Sequence, residues 1–185
     1  GNEAYLRSLS IREKALGKNH PKVADVLSSL GSLYVLQKRY KDAEINFLKV
    51  LAIREKALGK DHPEVADVLL WLGDINRQQS FYKKAKSNYL RSLAIYEYTF
   101  GKDHPDISLS LLNLGKLSLD QGIYLEAEKV LLRALDISTK NSEKDPLSAA
   151  YVHGWLGDLY QKQSRYKEAE REFLQALDIR KKVLG

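Results

Sequence analysis

The chain has 185 residues, 30 basic and 24 acidic side chains, a formal net charge of +6, and neither cysteine nor methionine. At 44% hydrophobic and 29% charged it has the composition of a folded domain or a short array of modules. That excludes a disulfide scaffold, a fibrous chain and a disordered one. No apolar run approaches the ~20 residues that span a bilayer, so no membrane insertion is expected. Charges of both signs alternate without the like-charge blocks of a nucleic-acid tail, so nucleic acid is not an expected partner. The lack of cysteine fits a reducing compartment, and a cytoplasmic location is expected. The lack of methionine and the start Gly1-Asn2-Glu3 suggest an excised piece of a longer chain.

Residues recur with a step of 42: Gly31, Gly73, Gly115 and Gly157; Tyr40, Tyr82, Tyr124 and Tyr166; Ala43, Ala85, Ala127 and Ala169; Leu51, Leu93, Leu135 and Leu177. A fixed period of this length signals a repeat architecture. In chain order, residues 1–16 read as a lone second helix, because Tyr5, Leu6, Leu9 and Ile11 stand one period before Phe47, Leu48, Leu51 and Ile53. Residues 17–58, 59–100, 101–142 and 143–185 follow as four repeats, each of a helix A and a helix B.

In the second repeat, helix A is expected from about Pro63 to Gln78, with Val65, Val68, Leu69, Leu72 and Ile75 on one face. Asp61 is the expected N-cap, with Glu64 completing a capping box. His20, His62 and His104 each precede a proline and are expected to pack or hydrogen-bond at the junction. They recur one repeat apart, too far to share a metal ion. Helix B is expected from about Phe81 to Phe100, burying Ala85, Tyr89, Leu90, Leu93 and Ala94. Gly17, Gly59 and Gly101 suit the positive-φ residue that closes a helix. Gly31, Ala43 and their equivalents are expected to let the two helices approach closely.

The fourth repeat opens irregularly, through Thr139-Lys140-Asn141-Ser142-Glu143-Lys144-Asp145-Pro146, without the glycine or the His-Pro pair. A helix start near the usual register is expected, after a looser or extended end of the preceding helix B. The last helix, Tyr166 to Leu184, carries Ala169, Phe173, Leu174 and Leu177 on the face that interior helices use for packing. The array is therefore expected to continue on both sides.

The pattern Leu27, Leu30, Gly31, Tyr34, Tyr40, Ala43 and Phe47 resembles the tetratricopeptide repeat. The prolonged helix B through Leu58 resembles the 42-residue subclass of kinesin light chains. The resemblance implies an all-α fold, a right-handed superhelix or solenoid, and a protein-interaction scaffold that holds a peptide or a partner's helix in a concave groove lined by A helices. In kinesin light chains paired asparagines on helix A hold the peptide backbone. The matching pairs here are Ser28-Ser29, Leu70-Trp71, Leu112-Asn113 and Gly154-Trp155, and Asn113 alone keeps one of those asparagines.

The residues expected to line the groove are Asp25, Ser29, Ser32, Asp67, Leu70, Trp71, Asp74, Arg77, Leu112, Asn113, Lys116, Tyr151, Trp155 and Asp158. Trp71 and Trp155, the two tryptophans, stand at one register position two periods apart and are the expected anchors. The Gly-Lys pairs follow helices and lack P-loop spacing. No nucleophile with a partnered base is recognisable, so the chain reads as no enzyme, with no cofactor and no metal. The alternative reading is self-association through the exposed array ends.

Overall fold

The computed structural model describes residues 2–143 and 145–185. Gly1 and Lys144, expected at the start of the lone helix and beside the fourth cap, lie outside the described residues. Among the described residues the regular structure is nine helices. They are α1 (Asn2–Leu16), α2 (Pro21–Leu36), α3 (Tyr40–Leu58), α4 (Pro63–Gln78), α5 (Tyr82–Phe100), α6 (Pro105–Asp120), α7 (Tyr124–Lys140), α8 (Ser148–Lys162) and α9 (Tyr166–Leu184). The even-numbered helices α2 to α8 are the A helices. The chain divides into two compact units, Gly1–Ile95 and Tyr96–Gly185, the division falling inside α5.

Three of the A helices, α2, α4 and α6, start on histidine. Nδ1 of His20, His62 and His104 accepts the backbone N–H of Lys22, Glu64 and Asp106 at 3.1, 3.2 and 3.3 Å. The expected Asp61 cap is thus corrected to His62. The proline after each histidine holds that histidine extended, with ψ near 140°, which is the N-cap conformation, and the proline itself takes the first helical position. The B helices close as expected, at Gly17, Gly59 and Gly101 with φ of +84°, +93° and +83°.

The turn from A to B uses a left-handed residue that the sequence does not advertise. Lys38, Ser80 and Ser164 have φ near 60°, and only the equivalent Gly122 is a residue suited to it. In each case the next backbone N–H (Arg39, Phe81, Ile123, Arg165) reaches back to the carbonyl of Tyr34, Asn76, Ser118 or Tyr160 at 2.8–2.9 Å. This wide hydrogen bond satisfies an orphan helix-end carbonyl, which offsets the strain of the non-glycine residues.

In the first unit α1, α2, α3 and α4 pack in sequential order. Val23, Leu27, Leu30 and Tyr34 of α2 meet Ala43, Phe47, Val50 and Ile53 of α3, and α4 adds Val68, Leu72 and Ile75. In the second unit α6 packs on α7, α7 on α8 and α8 on α9, and the two A helices α6 and α8 also touch. The expected face of α4 is buried throughout, but that of α5 needs correction. Leu90 and Ala94 are exposed, while Ser92, Ile95 and Tyr96 are buried beside Ala85 and Tyr89. Steps of four, three and four from Ala85 reach Tyr89, Ser92 and Tyr96, and that line lies about a residue's rotation away from Leu90 and Ala94.

The junction before α8 also departs from expectation. α7 ends at Lys140 with no prolongation, two residues short of the register set by α5, and α8 begins at Ser148. The Asp145 carboxylate accepts the Ser148 N–H at 3.2 Å, doing the work of the missing histidine. A run of hydroxyls, Ser108 to Ser138 at 2.6 Å and Ser138 to the half-buried Ser148 at 2.9 Å, ties α6, α7 and α8 together.

The recurrent glycines face the recurrent bulky residue of helix B. A Cβ on Gly31 would lie 2.8 Å from the Phe47 ring, on Gly115 2.6 Å from Leu131, and on Gly157 2.5 Å from Phe173; on Gly73 it would overlap the Tyr89 ring. Gly154, in the same helix as Gly157, has nothing within 4 Å of that point. Gly115→Ala is therefore expected to destabilise the fold by about 1–3 kcal/mol, as overpacking against a fully buried leucine. Gly154→Ala, which only restricts the unfolded chain, is expected to stabilise it by about 0.4–1 kcal/mol. Urea melts of the two variants check the pair; equal effects would contradict it.

Candidate functional site

The expected site residues lie on the A helices, and each unit presents its own set. In the first unit Asp25, Ser29 and Asp67 are exposed, and Ser32, Asp74 and Arg77 are half-buried. Ser29 turns its hydroxyl back onto the Asp25 carbonyl at 3.1 Å, which lets a short polar side chain sit on a helix without an unpaired group. Asp74 accepts the Tyr89 hydroxyl at 2.7 Å and lies 3.9 Å from Arg77. Burial first, and then the Asp74 carboxylate, raises the Tyr89 phenol far above its usual range. A phenol so held stays protonated and donates, which fixes Asp74 on the surface of α4.

Trp71 divides its two faces. One stacks on Phe47 of α3, with centroids 5.4 Å apart and planes 10° from parallel, and the residue remains 41% exposed. An exposed ring with a packed back is held in one orientation, so it meets a partner without losing rotamer freedom. The same packing means that Trp71→Ala removes a core contact as well as an exposed surface.

In the second unit the A faces of α6 and α8 differ. Lys116 lies 3.4 Å from the Asn113 carbonyl oxygen and 5.0 Å from the centre of the Trp155 ring, a cation over an aromatic face. Tyr151 is 55% exposed, with the Arg180 guanidinium 5.7 Å from its ring centre. Asp158 is half-buried, and loss of solvent raises its carboxyl above the ordinary value against the opposing charge of Lys162. Tyr151, Trp155, Asp158 and residues of α9 line an open cleft of about 460 Å³.

Three expected site residues are not on an accessible surface. Leu70, Leu112 and Asn113 are 6%, 7% and 3% exposed. A helices in a stacked array are flanked on both sides, so the strip left to solvent is narrower than the periodic pattern suggests. In the second unit the contact between α6 and α8 covers that flank. Asn113, the one position that keeps an asparagine of the kinesin-light-chain pairs, thus points to Lys116 and not to solvent.

Sequence reasoning missed a polar contact in the last repeat. His153 Nδ1 and Glu172 Oε2 lie 2.7 Å apart between α8 and α9, and Arg171 adds a second contact to Glu172 at 3.2 Å. The register would have exposed it, since the third repeat places Leu111 and Val130 at these positions. Near it, the Tyr160 hydroxyl donates to Glu128 at 3.0 Å under the Arg165 guanidinium. Burial, followed by that hydrogen bond, pushes the Tyr160 phenol up to about 12. Among the described residues no three His, Asp or Glu side chains converge as metal ligands, and no helix is long and apolar enough to cross a membrane.

A sequence profile of the tetratricopeptide repeat matches residues 3–56, 33–97 and 64–140, and a second profile of the same repeat matches residues 156–185. No curated protein matches the chain. Among solved structures, BtubC (BKLC) from P. vanneervenii is 23% identical, with a TM-score of 0.82 over 98% of this chain and 72% of that one. A candidate kinesin light chain of nearly identical TPR-like repeats from Podosopora anserina is 23% identical, with a TM-score of 0.79 over 99% of this chain and 86% of that one. MamA is more distant, 19% identical with a TM-score of 0.60 over 96% and 88%.

The His153–Glu172 contact supplies a test of how the last repeat is held. His153→Leu alone leaves a buried carboxylate short of a partner and is expected to cost about 1–3 kcal/mol. Adding Glu172→Val recreates the apolar pair of the third repeat and is expected to recover most of that loss. Thermal melts of the single and double variants decide it; an additive loss would contradict the arrangement.

Proposed function

Because this chain belongs to the tetratricopeptide repeat family, whose all-α repeat fold serves as a protein-interaction scaffold, we propose that the exposed strips of its A helices hold a peptide or a partner's helix. The observation that carries this reading is Trp71. It is a large ring fixed from behind by Phe47 and open in front, flanked on α4 by Asp67 and Asp74. Truncating such an anchor typically costs an interface 2 kcal/mol or more.

Charge refines the partner. Of the expected strip residues on α2 and α4, Asp25, Asp67 and Asp74 are acidic and Arg77 is basic, and Arg77 lies beside Asp74. A segment with basic residues around one large apolar side chain suits this surface, and an acidic segment would be repelled. In the second unit Tyr151 and the Lys116-backed Trp155 offer aromatic faces for the same kind of contact. The role proposed is recognition, with any chemistry left to the partner.

Selection from a displayed peptide library tests this. Enriched peptides are expected to combine lysine or arginine with an aromatic or leucine, and to bind the Asp25→Lys variant at least about tenfold more weakly while its melting is unchanged. Trp71→Ala is expected to lower both affinity and melting temperature. Enrichment of acidic peptides, or binding untouched by both substitutions, would overturn the reading.

A further inference from the structure

Three B helices open on the same charges, and α5 is the exception. At one register position α3, α7 and α9 carry Asp42, Glu126 and Glu168, where α5 carries Lys84. Two residues on, the counterpart of Glu44, Glu128 and Glu170 is Lys86. With Lys83 and Arg91 added, the stretch from Tyr82 to Ile95 holds four basic side chains and no acid. An acid in the first turn suits the positive end of the helix dipole, and lysine opposes it. The fold gives up stability at α5 where three equivalent helices do not.

The turn before α5 has changed with it. Arg39 donates to Asp42 at 2.9 Å, and Arg165 to Glu168 at 3.0 Å. At α5 that pair is Phe81 and Lys84, with the ammonium 5.4 Å from the centre of the ring. Arg91 ties α5 to α3 through Glu55 at 2.6 Å. Phe81, Leu90 and, one period before Leu90 on α3, Leu48 are 48%, 46% and 50% exposed. Asp42 and Glu55 are each taken up by an arginine, so of the acids on α3 only Glu44 stands against Lys41, Lys49, Lys83 and Lys84.

We propose that this face of α5 is a docking surface for an acidic segment of a partner protein. The carboxylates of the segment meet Lys83, Lys84 and Lys86, and its apolar side chains lie on Phe81, Leu90 and Leu48. Charge of one sign beside an apolar strip selects an acidic amphipathic chain and rejects a basic one. Nucleic acid would use the lysines and leave the leucines aside. A lipid surface takes up apolar side chains that stand clear of the protein, and these three are about half covered. The surface is separate from the A strip of α2 and α4, whose expected residues are mostly acidic and would repel the same segment.

The probe is a labelled synthetic peptide in which pairs of glutamates alternate with pairs of leucines, titrated onto the intact chain. Saturable one-to-one binding is expected, weakened about tenfold or more by Lys84→Glu combined with Lys86→Glu. These substitutions install the acids of the other three repeats, so the melting temperature is expected to hold or rise. Should the double variant melt early, Lys84→Glu alone decides, with a loss of about threefold expected. Leu90→Gln is expected to weaken binding as well, and Asp25→Lys on the A strip to leave it unchanged. No saturable binding, equal binding of a peptide with glutamine for glutamate, or binding untouched by the lysine or Leu90 substitutions would overturn the proposal. So would tighter binding to phosphatidylserine vesicles or to a DNA duplex, or dimerisation of the chain, if the lysine substitutions abolish it.

Discussion

The contact between a glycine of helix A and a bulky residue of helix B sets the spacing of every helix pair. Gly31, Gly73, Gly115 and Gly157 face Phe47, Tyr89, Leu131 and Phe173, and a single Cβ at any of them would intrude on its partner. Glycine inside a helix costs about 1 kcal/mol relative to alanine. Its use in four consecutive repeats means that the close approach returns more than this, through a bulky side chain packed against backbone. With the pair so closed, Ala43, Ala85, Ala127 and Ala169 are all buried, and the other interior positions follow.

What remains outside is decided by what the packing leaves over. In the second unit α6 is flanked by α7 and by α8, so only a narrow strip of it reaches solvent. In the first unit Trp71 of α4 reaches solvent with its back supported by Phe47. Leu70, one residue earlier, does not. The B helices carry a different surface, in which charges are matched from one repeat to the next. Arg91 pairs with Glu55 at 2.6 Å and Arg133 with Glu97 at 2.5 Å, each at the same register. Exposed pairs of this kind add little stability, but they neutralise part of the B-face charge.

The repeat register was legible in the sequence because it is fixed by residues with few substitutes. Glycine is needed under a bulky side chain, and His-Pro sets a helix start. α4 accordingly falls at its expected bounds, Pro63–Gln78, and the face from Val65 to Ile75 is buried. Errors arose where several residues serve equally. Asp61 and His62 are both capping types, and only the conformation imposed by Pro63 selects the histidine. Leu90 and Ala94 read as core because they are apolar, although the helix phase puts them outside. The left-handed Lys38, Ser80 and Ser164 left no trace, since backbone hydrogen bonding and not residue type holds them. In the candidate site, the aromatic positions could be read from the register. The burial of Leu112 and Asn113 could not, because the α6–α8 contact that covers that flank is not marked in the sequence pattern.

The most direct test of this account is a double-mutant cycle on Gly73 and Tyr89. Tyr89 is fully buried and its hydroxyl is tied to Asp74, so its ring has little freedom to move away from a new methyl group. Gly73→Ala should cost about 1–3 kcal/mol in the native background and little or nothing once Tyr89 is alanine, a coupling well beyond the ~0.5 kcal/mol of independent sites. An equal cost in both backgrounds would show that the glycine is not there for the ring, and the proposed basis of the repeat spacing would fall.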